Sequence, residues 1–196
     1  MGAVSVLVIA GSARAGSFNR RLAAVAAGLA TAGGAEVTAV DLRALALPLY
    51  DAEIEAAGLP PGALELRQLF ASHDALLLAS PEYNGFPTPL LVNALDWTSR
   101  VPASDTLPSG LAAMGGTVAG LVSASPGALG GLRSLMFVRQ FLQMALGMLV
   151  VPEQFALSAA AKAFDANGGF ADEKHTQAVQ RVVDAVLRIA GALKGP

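Results

Sequence analysis

Four side chains suited to binding an anion follow the first apolar run of the chain, which spans residues 4–10. Their hydroxyl and amide groups can donate hydrogen bonds, and the arginine can hold two phosphate oxygens at once. One of the serines stands where it can cap a helix, whose free N–H groups and positive dipole end attract negative charge. The segment therefore predicts a site for a terminal phosphate monoester of about two negative charges, built from Ser12, Arg14, Ser17 and Asn19.

Two familiar phosphate-binding motifs do not match this segment. The dinucleotide fingerprint G-x-G-x-x-G requires a second glycine where Ala13 stands. The P-loop requires Lys-Ser or Lys-Thr where Ser17 and Phe18 follow Gly16. A capped turn with a solvated arginine is the alternative to a binding site. The site is favoured because the four phosphate-suited side chains fall within residues 12–19.

A second unusual segment, SPEYNGFPTP at Ser80–Pro89, follows another apolar run. Its prolines and the pair Asn84-Gly85 favour a rigid, irregular turn. The backbone N–H and C=O groups of such a turn can contact the edge of a planar heterocycle, with Tyr83 beside it. Glu82 is interpreted as a surface carboxylate in preference to a catalytic acid.

A third segment, SASPGALGG at Ser123–Gly131, consists mainly of small residues and glycines. Such residues allow a ligand ring to approach the backbone closely. Turns of this composition are common, so the segment by itself is a weak signal of function.

Five apolar runs and five periodic segments predict the elements that carry these loops. The first, third and fourth runs contain Val, Leu, Ile and Ala with little alternation, which is typical of strands buried on both faces of a parallel sheet. The predicted strands are Val4–Ala10, Glu36–Asp41, Ala75–Ser80, Val118–Ser123 and Met148–Val151. The predicted helices are Phe18–Ala32, Pro61–Ser72, Pro89–Ser99, Leu129–Leu146 and Asp172–Lys194. Leu47–Pro60 is expected to be a loop, either a rim of the active site or an ordinary solvated connection.

This alternation of strands and helices predicts an α/β sandwich of three layers, with helices on both faces of a parallel sheet. Five strands favour the flavodoxin-like order 2-1-3-4-5. We expect one domain over residues 1–196, because the sequence has no internal repeat, linker or low-complexity tract. Ligands of such sheets bind beyond the carboxyl ends of the strands where the strand order reverses, so the three segments above should meet there.

Composition excludes several classes of function. The chain has no cysteine, and its two histidines, His73 and His175, stand far apart, so no metal site is expected. The net charge is −2 and the Lys and Arg residues are scattered, so no nucleic-acid partner is expected. The chain has neither a signal peptide nor a run of about 20 apolar residues, which predicts a cytoplasmic protein without a membrane partner.

Taken together, the three segments resemble those of the NADPH-dependent FMN reductase family, a flavodoxin-like group that includes chromate, quinone and azo-dye reductases. The matching pieces are GSARAGSFN for the family's GSxRxxSxN, PEYNG with the later NALDW, and SASPGALGGLR. They occur in the family's order from the first strand to about Gln140, and the first two motifs together are specific.

The resemblance implies bound FMN, with NADPH or NADH as the hydride donor. It implies no catalytic side chain, since the flavin itself carries the electrons. The FMN phosphate would lie against the four residues of the first segment. The isoalloxazine ring would lie beside Pro81, Glu82, Tyr83, Asn84 and Gly85 on one side and be bordered by Ser123, Ser125 and Gly127. A ping-pong reaction would then pass the hydride to a quinone, chromate, an azo compound or free flavin.

The resemblance also implies a homodimer or homotetramer, with the helix after PEYNG and the long fourth helix near the subunit contact. Two positions depart from the family. Met136 and Phe137 stand where the chromate-reductase branch often has a tyrosine, and Val92 stands where many relatives have a lysine. We therefore transfer neither a tyrosine-based tetramer contact nor a role for that lysine.

Two other functions stay open at this point. A flavodoxin-type electron carrier would dock through a strongly acidic surface, and the net charge of −2 argues against it. A non-catalytic flavin-binding sensor would keep FMN but lose turnover, and the departures at Met136 and Val92 keep that alternative open.

Overall fold

The computed structural model describes residues 2–194, in which five parallel strands form one sheet between two layers of helices. Their order is β2-β1-β3-β4-β5, and every neighbouring pair is parallel. The strands are β1 (Ser5–Ala10), β2 (Glu36–Val40), β3 (Ala75–Ala79), β4 (Val118–Ala124) and β5 (Leu149–Leu157). The predicted flavodoxin-like fold and its strand order are therefore confirmed.

Helices α1 and α7 cover one face of the sheet, and α3 to α6 cover the other. A single turn of π-helix, Phe141–Ala145, extends α6, and a 3₁₀ turn, Ala160–Lys162, follows β5. In residues 2–194 no helix is long and apolar enough to cross a membrane. The helices are α1 (Phe18–Ala32), α2 (Ala52–Ala57), α3 (Pro61–Ser72), α4 (Pro89–Arg100), α5 (Gly110–Met114), α6 (Leu132–Gln140) and α7 (Glu173–Leu193).

Alternate residues of each strand enter two separate hydrophobic clusters. In β1, Val6 and Val8 pack towards α1 and α7, whereas Leu7 and Ile9 pack towards the helices on the opposite face. This follows from the two-residue period of a strand. Every residue of β3 and β4 is buried, which explains why their sequences show little alternation.

The helix predicted over Leu129–Leu146 is shorter than expected. Gly130 and Gly131 have φ values of 62° and 93°, a left-handed conformation that ends the preceding loop and delays α6 until Leu132. A Cβ atom at Gly131 would lie 1.8 Å from the Ser123 hydroxyl oxygen, so only glycine fits there. At its other end the periodic segment passes into the π-helical turn.

The last strand is longer than the predicted Met148–Val151. Ala119 pairs with Val150 and Leu121 pairs with Gln154, so β5 bulges between these two pairs. Pro152 lies in that bulge, where the lack of an N–H group does not interrupt a ladder of hydrogen bonds. The strand therefore continues past Pro152 to Leu157.

The connection Leu47–Pro60 is not a plain loop, because it contains α2. Asp51 caps this helix by accepting hydrogen bonds from the N–H groups of Glu53 and Ile54. Asn93 and Trp97 of α4 each donate to the Pro48 carbonyl at 2.8 Å, which fixes the connection against α4. The short helix α5 was also absent from the sequence-based expectation.

Candidate cofactor site

The loops that follow β1, β3 and β4 meet at the carboxyl edge of the sheet and line one cleft. This is the edge at which the strand order reverses, as expected for a ligand site of this fold. Among the residues predicted from the sequence, those lining the cleft are Ser12, Arg14, Ser17, Asn19, Pro81, Glu82, Tyr83 and Ser125.

Unused hydrogen-bond donors concentrate in the loop between β1 and α1. Ser12 is 5% exposed, and its hydroxyl has no partner within the described residues. The N–H groups of residues 12–16 donate to no backbone carbonyl in that part of the chain. Arg14 is exposed at the mouth of the cleft, where no carboxylate of residues 2–194 pairs with it. These groups suit a doubly charged phosphate.

Ser17 starts α1 at the wall of the cleft. Its side-chain oxygen accepts a hydrogen bond of 3.2 Å from the Asn19 N–H, as an N-cap does. Gly16 precedes it with φ = 63°, which turns the chain into the helix. The positive end of the helix dipole thus lies beside the free donors of the loop.

Asn19 joins the first and third loops. Its Nδ2 donates to the Ala124 carbonyl at 2.8 Å, and its Oδ1 accepts from the Ala124 N–H at 3.0 Å. The residue is 4% exposed, so this pair of bonds is shielded from water. One Nδ2 hydrogen is left for a ligand, and most of the side chain's hydrogen-bonding capacity serves to hold the loops together.

The loop after β3 contains a tight turn. Tyr83 and Phe86 exchange two backbone hydrogen bonds of 2.9 and 3.0 Å. Between them, Asn84 and Gly85 have φ values of 53° and 84°, the signature of a type I′ turn. Tyr83 lines the cofactor cleft, whereas Asn84 and Gly85 line a neighbouring depression.

Glu82 is committed to α6. Its carboxylate forms an ion pair with Arg133, including a bond of 2.9 Å from Nε, and accepts from the Ser134 N–H at 3.3 Å. The Arg133 guanidinium, assisted by this N–H group, holds the pKa of Glu82 below its usual value against the effect of burial. An ionised carboxylate paired in this way is a poor proton donor near neutral pH. Its side chain is only 10% exposed, so Glu82 is a largely buried, paired carboxylate and not the surface carboxylate expected from the sequence.

Two further contacts fix the second loop. Ser134 Oγ donates to the Pro81 carbonyl at 3.0 Å, and Thr88 Oγ1 donates to the Gly11 carbonyl at 2.6 Å. The first of these bonds ties the loop to α6, and the second ties it to the end of β1. The backbone around Pro81 is therefore held in place before any ligand binds.

The predicted residues of the third loop lie in different surroundings. Ser125 lines the cleft and accepts from the Gly127 N–H at 3.1 Å. Ser123 is fully buried under the glycine turn and donates to the Gly130 carbonyl at 2.8 Å. Gly127 is exposed beside the cleft, and its carbonyl accepts from Ala159. The structure thus brings Ser125 to the cleft, while Ser123 shapes the loop from beneath.

Phe18 also lines the cleft and was absent from the residues predicted from the sequence. Its ring lies 5.6 Å from the guanidinium carbon of Arg14. The sequence could have indicated Phe18, because it directly follows Ser17, the predicted N-cap of α1. A residue at that position lies next to the loop that precedes the helix.

The donor set fits the cofactor that the sequence motifs implied. One end of the cleft offers a buried hydroxyl, a helix N-terminus and an unpaired guanidinium, which together match the phosphate of FMN. The other end lies between Tyr83 and the loop that carries Ser125, where a flat ring has access to fixed backbone.

Comparison with known proteins identifies the family. Residues 4–162 match the model described as NADPH-dependent FMN reductase. An NAD(P)H-dependent FMN reductase of Pseudomonas aeruginosa is 32% identical over 192 residues, which cover 98% of each chain. A quinone reductase of Pseudomonas putida is 35% identical over 170 residues, which cover 86% of each chain.

The solved structures agree with the sequence relatives. The flavoenzyme NAD(P)H:(acceptor) oxidoreductase FerB from Paracoccus denitrificans superimposes with a TM-score of 0.78 at 29% identity, covering 96% of this chain and 98% of that one. The match to the family model and the identity to its members, each over most of the chain, establish that this protein belongs to the NADPH-dependent FMN reductase family.

Proposed function

We propose that the protein is a quinone reductase that works by a ping-pong sequence, in which NADPH or NADH reacts first and the acceptor second. Its family makes it an NAD(P)H-dependent oxidoreductase with FMN as cofactor. When bound, FMN supplies the redox chemistry, because its ring takes up hydride from the nicotinamide and passes it on. The observation that carries the proposal is the cleft of three loops, which contains an anion site, together with an apolar depression next to the Tyr83–Phe86 turn.

The residues of the first loop would bind the phosphate. Ser12 and the free N–H groups of residues 12–16 would donate to its oxygens, and Arg14 would close the site from the solvent side. The N-terminus of α1 would add its positive dipole end. These groups anchor the cofactor and do not enter the reaction.

The second and third loops would orient the ring. Pro81 is fixed by its hydrogen bond from Ser134, and Tyr83 belongs to the type I′ turn, so both present a rigid surface. Ser125, on the opposite loop, is held by the Gly127 N–H. Such pre-ordering lowers the entropy cost of placing the ring for hydride transfer.

An apolar depression next to the turn suits a quinone as acceptor. It is lined by Phe86, Pro87, Val92, Phe137, Gln140 and Phe141. Aromatic and aliphatic walls favour a flat, uncharged ring over the chromate anion. Curated relatives named quinone reductase, and one from a Burkholderia species named 2-hydroxy-1,4-benzoquinone reductase, support the same acceptor class. Azo compounds and free flavin remain further candidate acceptors.

We also propose that the protein works as a homo-oligomer whose contact includes α6. Four large apolar side chains of α6 and its π-helical turn are exposed, namely Leu132, Met136, Phe137 and Met144 at 39%, 65%, 44% and 78%. A second copy covering this face would remove them from water and would enclose the apolar depression that Phe137 lines.

Met136→Glu combined with Met144→Glu should shift the protein to monomers in sedimentation velocity, while Leu193→Glu should not.

Anaerobic titration tests the activity. The protein reconstituted with FMN should bleach at about one equivalent of NADPH or NADH, and addition of benzoquinone should restore the oxidised spectrum. Parallel lines in double-reciprocal plots would support the ping-pong sequence. Slow or absent direct reduction would favour an electron carrier, and retention of FMN without steady-state turnover would favour a sensor.

Arg14→Gln tests the phosphate site. A hydrogen bond to a charged group contributes about 1.5–3 kcal/mol, so FMN affinity should fall by roughly tenfold or more. Arg181→Gln is the matched control, because that arginine is exposed on α7, away from the cleft. Equal FMN affinities for the two variants would contradict the proposed site.

A further inference from the structure

We propose that Phe164 positions Arg14 for the cofactor phosphate, although Phe164 itself lies outside the cleft. It acts through a stack of four side chains, Arg14, Phe18, Phe164 and Arg21, called here the arginine–phenylalanine stack. The inference rests on the proposed phosphate site and deepens it, because it names a residue that governs discrimination between phosphorylated and unphosphorylated flavin.

The first step of the stack is the contact between Arg14 and Phe18. The guanidinium carbon lies 5.6 Å from the ring centroid, within the range of a cation–π interaction. No carboxylate of the described residues holds this arginine, so the ring is its principal support. An exposed arginine without such support loses more side-chain freedom when it binds a phosphate.

The second step is the contact between Phe18 and Phe164. Their ring centroids are 6.3 Å apart and their planes differ by 6°, so the two rings are nearly parallel. Arg21 lies on Phe164 with its guanidinium carbon 4.3 Å from the centroid, and its Nη2 donates to the Asp165 carbonyl at 3.1 Å. Phe164 is therefore in contact with Phe18 as well as with a second, anchored guanidinium.

The third step is the rigidity of the segment that carries Phe164. Phe164 and Phe170 form an isolated β-bridge, and their rings stack at 5.1 Å. The carboxylate of Asp165 accepts from the N–H groups of Asn167 and Gly169 at 2.8 and 3.0 Å, which closes the turn between the two phenylalanines. Phe164 therefore has a fixed place from which to restrain Phe18.

Riboflavin separates a positioning role from ordinary packing. It shares the ring and ribityl chain of FMN and lacks the phosphate. Loss of packing near the cleft would weaken both ligands alike, whereas loss of support for Arg14 would weaken FMN alone. The ratio of the two dissociation constants is thus a readout that a purely structural role would not change.

The test compares variants of the full chain by flavin fluorescence quenching. Phe164→Leu should weaken FMN binding about twofold, and by no more than the roughly fivefold that full loss of the Arg14–Phe18 cation–π contact would cause, and leave riboflavin binding unchanged. Phe164→Tyr keeps the ring and should restore the wild-type ratio. Phe155→Leu is the matched control. The Phe155 ring contacts His175, which contacts Phe170, the neighbour of Phe164, but Phe155 itself is not paired with Phe18.

A double mutant tests the route of the effect. In an Arg14→Gln background, Phe164→Leu should cause no further loss of FMN affinity, because the group that Phe164 supports is gone. Phe164→Met is the substitute if the leucine variant does not fold. Additive losses, or equal losses for FMN and riboflavin, would overturn the proposal and leave the phosphate site intact. Failure of the unmodified protein to bind FMN would overturn the phosphate site and this proposal with it.

Discussion

Asn19 and Glu82 each hold one loop of the cleft against another part of the molecule. Asn19 satisfies both backbone groups of Ala124, and Glu82 satisfies Arg133 together with the N–H of Ser134. Both side chains thus have hydrogen-bond partners within the protein itself. At the residue scale, the cleft is thus held together by polar groups that bind the protein itself, and the unpaired donors of Ser12, Arg14 and the loop backbone are the groups we propose for ligand binding.

Asn19→Ala should destabilise the protein by about 2 kcal/mol or more. The substitution leaves the buried N–H and carbonyl of Ala124 without partners, and each such group costs roughly 1–3 kcal/mol. The measurement is urea unfolding of the flavin-free protein, so that cofactor binding does not enter. Asn167→Ala is the control because Asn167 is exposed. A loss below about 0.5 kcal/mol for Asn19→Ala would contradict the role given to this side chain.

Glu82→Gln should lower stability near neutral pH and have little effect in acid. The pKa of Glu82 is lowered in the folded protein from an ordinary value of 4.5, chiefly by Arg133. Its ionised form therefore stabilises the fold above that ordinary value, and the contribution disappears as the pH falls through the lowered pKa. Because Arg133 is largely exposed, the difference from wild type should be no more than about 1 kcal/mol at pH 7.

Urea unfolding between pH 7 and about pH 2.5 checks this sign, because that range includes the window below the ordinary pKa of 4.5. The difference between Glu82→Gln and the wild type should shrink as the pH drops below about 4.5. Glu65→Gln, on an exposed position of α3, should show no comparable dependence. A difference that grew in acid would mean that Arg133 does not hold Glu82 in its ionised form.

The sequence predicted which side chains of the first loop line the cleft, but it did not predict the long-range contacts that hold the loops together. Ser12, Arg14 and Ser17 lie within one short segment, so their shared preference for an anion was visible in the sequence. The partner of Asn19 is Ala124, which is 105 positions away. Asn19 binds the backbone of Ala124, and every residue type has the same backbone groups, so the sequence gives no indication of this contact. The same holds for Phe164, which reaches the loop only through the fold.

At the scale of elements, boundaries depend on local backbone conformation. The Asn84-Gly85 pair predicted a tight turn correctly, because few other residues adopt two successive positive φ values. The start of α6 and the length of β5 were predicted less well. The first depends on two left-handed glycines packed on Ser123, and the second on a bulge that appears only when β5 pairs with β4.

Gly85→Ala should cost about 1–2 kcal/mol of stability through the backbone alone. A Cβ at Gly85 would find Arg133 no closer than 3.8 Å, so space is available and only the φ of 84° is unfavourable. Gly28→Ala is the opposite case, with an ordinary helical φ and nothing within 4 Å, and should stabilise α1 by about 0.5–1 kcal/mol. Thermal unfolding should show a lower midpoint for Gly85→Ala and a higher one for Gly28→Ala. Equal shifts of the two midpoints would mean that the positive φ of Gly85 does not determine the cost.

At the scale of the whole molecule, one sheet supports two hydrophobic clusters and one cleft. Each inner strand contributes alternate residues to both clusters, so separation of either layer of helices would expose one apolar face of the sheet to water. We therefore propose that residues 1–196 unfold as a single domain in one cooperative transition. The cleft depends on this unity, because its loops follow three different strands that only the assembled sheet brings together.

Removal of FMN should lower the unfolding temperature of the whole molecule, and saturation should raise it. A ligand present at 100 times its dissociation constant adds about 2.7 kcal/mol to the stability of the folded state. For a chain of 196 residues this corresponds to a shift of about 5–11 °C, since each kcal/mol moves the midpoint by about 2–4 °C. Differential scanning calorimetry at increasing FMN should show one transition that moves upward without splitting. At the same ligand concentration, riboflavin should move it less, because it leaves Ser12, Arg14 and the N-terminus of α1 without their anion. A transition that split, or that FMN left unmoved, would mean that the three loops do not bind the cofactor as one site.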